Sequence, residues 1–328
     1  MSFGKLFYAF ASLLLFFTAF IFISPSLVSN DFIYPERIDS TYLAYHALTD
    51  QNDSIPNTPE FSPKEVGLDY LTISLITHDH LHLNGWYIPA LDTPANTILF
   101  IHDLNESKLL YLDQIKQFHD RGLNVCIYDL RAHGTSDGTE FTPGLPSVKD
   151  AQQLLDTLAT FDGTNKIVLL GLGLGAAIAV QTALINSLCA GLILENPTKS
   201  LTISIDRYAY FKWGIFRYVW NPIFKRKVEA LLQYPIAHLD LTQMMKNITI
   251  PVLFLTGSED IVNFTSETLS LFQESASEKK ELMMIKNAGH TNMSIVGGES
   301  YYNRIAAFTN INFPKKKKTL YKKLAFTE

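Results

Sequence analysis

The stretch KIVLLGLGLGAAIAV, Lys166 to Val180, constrains this chain more than any other. An apolar run of strand length that enters closely spaced glycines and then an apolar helix pattern requires a buried strand turning sharply into a helix. The turn can be parsed in two incompatible ways. As G-x-G-x-x-A it places Gly171, Gly173 and Ala176 as a dinucleotide-binding fingerprint, with Glu195 ending the next apolar run where a ribose would be held. As G-x-S-x-G it is a nucleophile elbow with Gly171 and Gly175 in place and Gly173 where the serine belongs.

The surrounding chain repeats the same alternation. TILFIH, LNVCIYDL, KIVLLG and AGLILE read as strands, and Lys108–Arg121, Val148–Phe161 and Ala176–Ser187 read as helices between them. That order specifies an α/β protein with a mostly parallel sheet flanked by helices. LTISLIT and LHLNGWYIPA alternate around the polar turn HDH and form an antiparallel hairpin. An aromatic, helix-like insertion over 198–246 then interrupts the rhythm and reads as a small helical cap. PVLFLTG, a helix at Thr265–Glu274, ELMMIK and a helix at Glu299–Phe308 resume it.

With 328 residues, 47% of them hydrophobic, the chain can bury a large core. Leu6–Ile23 is an unbroken run of apolar and small residues behind Lys5, long enough to span a bilayer. Ser24-Pro25-Ser26 makes a poor cleavage site, so the run is read as an uncleaved N-terminal transmembrane anchor with the globular part on the outer side; the alternative is a cleaved signal and a secreted chain. The expected organisation is an anchor or signal at 1–24, a polar linker at 25–65, a core at 66–197 and 247–310 around the cap, and a basic tail at 311–328. The net charge of −5 argues against a nucleic-acid partner, and the tail PKKKKTLYKK reads as a solvated end. Cys126 and Cys189 lie in or beside core strands and read as small hydrophobes.

Residues far from the turn separate its two parsings. Asp260 follows the strand PVLFLTG and His290 follows ELMMIK, so both stand beyond strand C-terminal ends, in the chain order elbow, acid, histidine. A carboxylate there fixes the imidazole tautomer, and the imidazole takes a proton from a nucleophile at the elbow. With NGWYIPA, FIHDLNES, YDLRAHGTSDG, LGLGLGAAIA, LILENP, PVLFLTGSEDIV and NAGHTN in this order, residues 66–310 resemble the α/β-hydrolase superfamily, in its Bem46-like or ABHD-like serine-hydrolase branch. The resemblance implies the α/β-hydrolase fold and a triad position at Gly173, Asp260 and His290. It also implies an oxyanion hole at Leu174 and near Leu104.

Two departures fall on that chemistry. The family's serine is Gly173, a vacant nucleophile position, and its His-Gly pair is His102-Asp103, which puts a carboxylate beside the expected oxyanion hole. The leading expectation is therefore a membrane-anchored α/β-hydrolase-fold protein with a degenerate triad, inactive as a standard serine hydrolase, that binds a small acyl ligand or a protein partner. The alternatives are a non-standard hydrolase of esters, lipids or small amides, and a dinucleotide-binding protein. No cofactor or metal is expected: His78, His80 and His82 with Asp79 are explained by a polar hairpin turn. His133 and Ser136 belong to the loop that the resemblance makes structural.

Overall fold

The computed structural model describes residues 3–43, 61–232 and 234–314. Eight strands form one sheet in the order β1-β2-β4-β3-β5-β6-β7-β8. They are β1 (Leu71–Ile76), β2 (His82–Ile88), β3 (Ala95–Ile101), β4 (Asn124–Tyr128), β5 (Thr164–Leu172), β6 (Cys189–Glu195), β7 (Val252–Gly257) and β8 (Lys280–Ile285). β1 runs antiparallel to β2 and β2 antiparallel to β4, whereas β3 through β8 pair in parallel. Every residue of β3 and β4 is buried, as expected for central strands covered on both faces.

The flanking helices are α2 (Leu112–Asp120), α3 (Leu145–Ala159), α4 (Leu174–Ile185), α8 (Thr265–Glu274) and α9 (Met293–Asn312), the last kinked at Gly298. One apolar cluster, with Leu99, Leu169 and Leu194, lies on the α3/α4 face; the other, with Ile98, Phe100 and Leu253, lies on the α2/α9 face. Alternate residues of the same strands supply the two clusters, as the two-residue repeat of a strand requires.

α5 (Leu201–Trp213), α6 (Arg217–Leu232) and α7 (Leu241–Met245) lie between β6 and β7. The turn joining α5 to α6 exposes Tyr210, Phe211, Ile215, Phe216 and Tyr218. α1 (Phe3–Ile33) packs against α6, with Phe20 edge-on to Trp220, and Phe32 edge-on to Tyr208 and Phe224.

The linker expected from residue 25 is thus helical as far as Ile33. The physical reason is burial: Phe32 and Ile33 have apolar partners in the cap, and Arg37 then pins the chain to the carbonyls of Gly134, Ser136 and Gly138. The rest of that linker over 44–60, and the basic tail from 315, lie outside the described residues. Among the described residues no helix is long and apolar enough to cross a membrane; in α1 the side chains described without a break run from Gly4 to Phe20.

Candidate functional site

The turn from β5 into α4 is tight. Gly173 sits at φ 51° and ψ −113°, a region glycine enters without the strain a side chain would cause. A Cβ on Gly175 would strike the carbonyl oxygens of Ile101 and His102, so only glycine lets the end of β3 lie against the first turn of α4. That close approach brings the residue after His102 onto the elbow.

His102 fixes the approach from the other side. It is fully buried, its Nε2 accepts from Leu130 N–H at 3.0 Å, and its Nδ1 meets the Asp103 carbonyl at 2.7 Å. Burial lowers its pKa, so it serves as a neutral tie.

Asp260 and His290 meet beyond the ends of β7 and β8. Asp260 Oδ1 accepts from the N–H groups of Val262 and Asn263 at 2.7 and 2.8 Å, which leaves Oδ2 for His290 Nδ1 at 2.8 Å. Asn196, just past β6, donates to the His290 carbonyl at 3.0 Å and accepts from Gly257 N–H at 3.0 Å. It ties the acid and histidine loops to one frame.

The space above Gly173, expected from the sequence to be a vacant nucleophile position, holds a side chain of another loop. The Asp103 carboxylate fills it: a Cβ built on Gly173 would overlap Asp103 Oδ2 and Cγ. Oδ2 lies 3.0 Å from His290 Nε2, and Oδ1 accepts from both Leu174 N–H at 2.8 Å and Leu104 N–H at 2.7 Å. Those two donors are the groups at which the sequence resemblance expects an oxyanion hole. Asp103 therefore takes up both donors as well as the space that a side chain at residue 173 would need.

The imidazole stands between two carboxylates. Burial works against its charged form, but hydrogen bonds and charge from Asp103 and Asp260 outweigh this and raise His290 to about 10. It is an imidazolium at neutral pH, with one proton toward each carboxylate.

The other sequence candidates lie elsewhere. Ser136 Oγ donates to the Asp129 carbonyl at 2.6 Å and accepts from Asn84 N–H at 2.9 Å, so it is a buried structural group. His133 accepts from Asn105 N–H at 3.2 Å and is held near pKa 3, chiefly by burial. His78, Asp79 and Asp150 approach one another, but the Arg131 guanidinium pairs with both carboxylates and supplies the positive charge there. The dinucleotide parsing also loses its groups. Glu195 is buried and accepts from Tyr301 at 2.6 Å, and a carboxylate, not space for a pyrophosphate, faces the N-terminus of α4.

Comparison with known proteins agrees with the fold. Residues 92–216, which hold the β3 loop and the elbow, match the family described as serine aminopeptidase, S33. An esterase of Pyrococcus furiosus superposes with a TM-score of 0.64 at 19% identity, covering 78% of this chain and 96% of its own. The chain has the α/β-hydrolase fold. Among curated relatives, an uncharacterised membrane protein of Saccharomyces cerevisiae is 26% identical, over 75% of this chain and 82% of its own length. The protein bem46 of Schizosaccharomyces pombe is 26% identical, over 88% and 92%.

In this chain the site opens on a cavity of about 760 Å³ between the core and the cap. Phe32, Leu104, Leu174, Tyr208, Phe211 and Ile295 give it a largely apolar wall, and Asp103 and His290 stand at its floor. The sequence reading missed Glu106 as a site residue. Its Oε2 accepts from Asp103 N–H at 2.8 Å and from the Tyr111 hydroxyl. Burial, with the nearby Asp103 charge, raises it to about 7. Glu195, raised to about 7 mainly by burial, was noticed only as a ribose ligand. Its place at a strand end beside the elbow was the available signal.

Proposed function

We propose that this α/β-hydrolase-fold protein takes an elongated, largely apolar ligand into the cavity above Asp103 and has no serine acyl-transfer chemistry. One observation carries the reading: the Asp103 carboxylate fills both the nucleophile space at Gly173 and the oxyanion hole at Leu104 and Leu174. A second anion developing there would meet a charge already bound to both of these donors. The cavity size and apolar wall suit a single-chain lipid or similar ligand.

The test uses the full chain in detergent micelles, with a fluorophosphonate probe and a panel of acyl esters. No labelling, and no ester hydrolysis that depends on His290, is the expected result. Labelling, or hydrolysis lost on His290→Ala, would overturn the reading.

The ligand chemistry goes with placement at a membrane through α1, with the globular part on the outer side. Support comes from the run Leu6–Ile23, from the exposure of Phe7, Phe10, Leu14 and Phe17, and from the exposed aromatic turn of the cap beside α1. Retention of the chain in carbonate-washed membranes is expected, and release into the wash would refute the anchor.

A further inference from the structure

The Asp103 carboxylate has the form of a nucleophile held ready. Oδ1 is immobilised by two main-chain N–H groups, and Oδ2 points to His290 at the floor of the large cavity. Behind it lies a second chamber of about 20 Å³, lined by Gly173, Glu106, Glu195, Asn196, His290 and Thr291 among others. A chamber of this size, with several polar partners, is large enough for one water molecule. It borders Gly173, the position that carries no side chain.

Resting on the reading that the serine route is closed, we infer that Asp103 is itself the nucleophile of this site. It attacks the saturated carbon of an epoxide carried on an apolar chain, and water from the inner chamber releases the product as a diol. Carboxylates form covalent intermediates in this way elsewhere. An acyl carbonyl is the wrong target, because its oxyanion needs the hole that Oδ1 already fills. Attack at a saturated carbon places the new charge on the departing ring oxygen instead, next to the His290 proton.

The steps balance. A lone pair of Asp103 Oδ2 forms a bond to the epoxide carbon, the ring C–O bond breaks, and the alkoxide takes the Nε2 proton of His290. The result is a hydroxyalkyl ester and a neutral imidazole. Esterification removes one of the two charges that hold the His290 proton, so its release is favoured at that moment.

Water in the chamber then gives a proton to His290 Nε2 and adds its oxygen to Asp103 Cγ. The developing oxyanion is Oδ1, which already sits between Leu104 N–H and Leu174 N–H. Collapse breaks the Cγ–Oδ2 bond to the alkyl group, and the diol leaves with the former Oδ2. One proton from the water completes the diol's new hydroxyl and the other remains on His290, restoring carboxylate and imidazolium. Overall, epoxide and water become diol.

The deciding experiment incubates the full chain, in micelles and in excess over hexadecene oxide, in heavy-oxygen water. Expected are diol without heavy oxygen from the first turnover, one heavy oxygen in the peptide bearing Asp103, and no turnover by Asp103→Asn under conditions where its circular dichroism shows it folded. Diol that itself carries the label while Asp103 does not, or turnover that survives Asp103→Asn, would overturn the inference. Absence of diol together with absence of fluorophosphonate labelling also overturns it, yet leaves the serine-closed reading standing; fluorophosphonate labelling removes both.

Discussion

Two clusters of buried charge flank the C-terminal edge of the sheet, and one of them faces open space. In the loop after β4, Lys108 pairs with Asp129 and Arg131 with Asp150, while Thr135 N–H and hydroxyl also bind Asp129. The charges there are matched inside the protein. At Asp103, His290 and Asp260 the same kinds of group meet, but Asp103 and His290 also form the floor of the large cavity. Paired buried charges point to function only where a ligand can reach them. The sealed cluster reads as structure, and the open one as a site.

The largest expected effect separates the two. Asp129→Ala leaves Lys108 buried without its partner and should cost about 3–5 kcal/mol in urea unfolding. Asp260→Asn should cost clearly less, because His290 keeps Asp103 and the cavity admits water. Equal losses at the two positions would mean that both clusters are structural.

Next comes the elbow itself. Gly173→Ser must adopt a strained backbone, on the order of 1–3 kcal/mol, and must also displace the Asp103 carboxylate. Adding Asp103→Gly should recover part of the stability lost. Purely additive losses in the double variant would show that the two positions are independent.

A smaller effect tests the acids behind the site. Glu106 and Glu195 have folded-state pKa values of about 7, above their ordinary 4.5. The folded state therefore holds extra protons, and stability falls as pH rises from 4.5 toward 7. His290 acts in a higher window: its stabilisation is complete below its ordinary 6.5 and is lost as pH passes through about 10. Glu195→Gln should raise stability by about 1–2 kcal/mol above neutrality and flatten the fall below it, while still accepting the Tyr301 hydroxyl. Thermal unfolding across pH checks both signs.

The smallest effect on stability belongs to the cavity wall. Phe211 is exposed, so Phe211→Ser should change stability by less than about 0.5 kcal/mol. It should nevertheless weaken binding of a fluorescent long-chain probe.

The fold was legible because the central strands are continuous apolar runs and the helices between them keep their own period. The positions of Asp260 and His290 followed from the strands that precede them. Asp103 was legible only as an intruder near the oxyanion hole. Its place on the elbow depends on the backbone of Gly175 lying against Ile101 and His102, a contact of residues distant in sequence. For that reason two features that look separate in the sequence, glycine at 173 and aspartate at 103, become one in space: the carboxylate takes the room that a side chain at residue 173 would need. The continuation of α1 to Ile33 was hidden for a similar reason, since its partners Tyr208 and Phe224 lie in the cap.

The proposal that Asp103 blocks serine chemistry at residue 173 is tested most directly by fluorophosphonate labelling of the wild type, Gly173→Ser, Asp103→Gly and the double variant, each in micelles and checked for folding. Labelling of the double variant alone is predicted, because only there does a serine stand at the elbow with the oxyanion hole free and His290 in reach. Labelling of Gly173→Ser as complete as that of the double variant, or any labelling of the wild type, would contradict it.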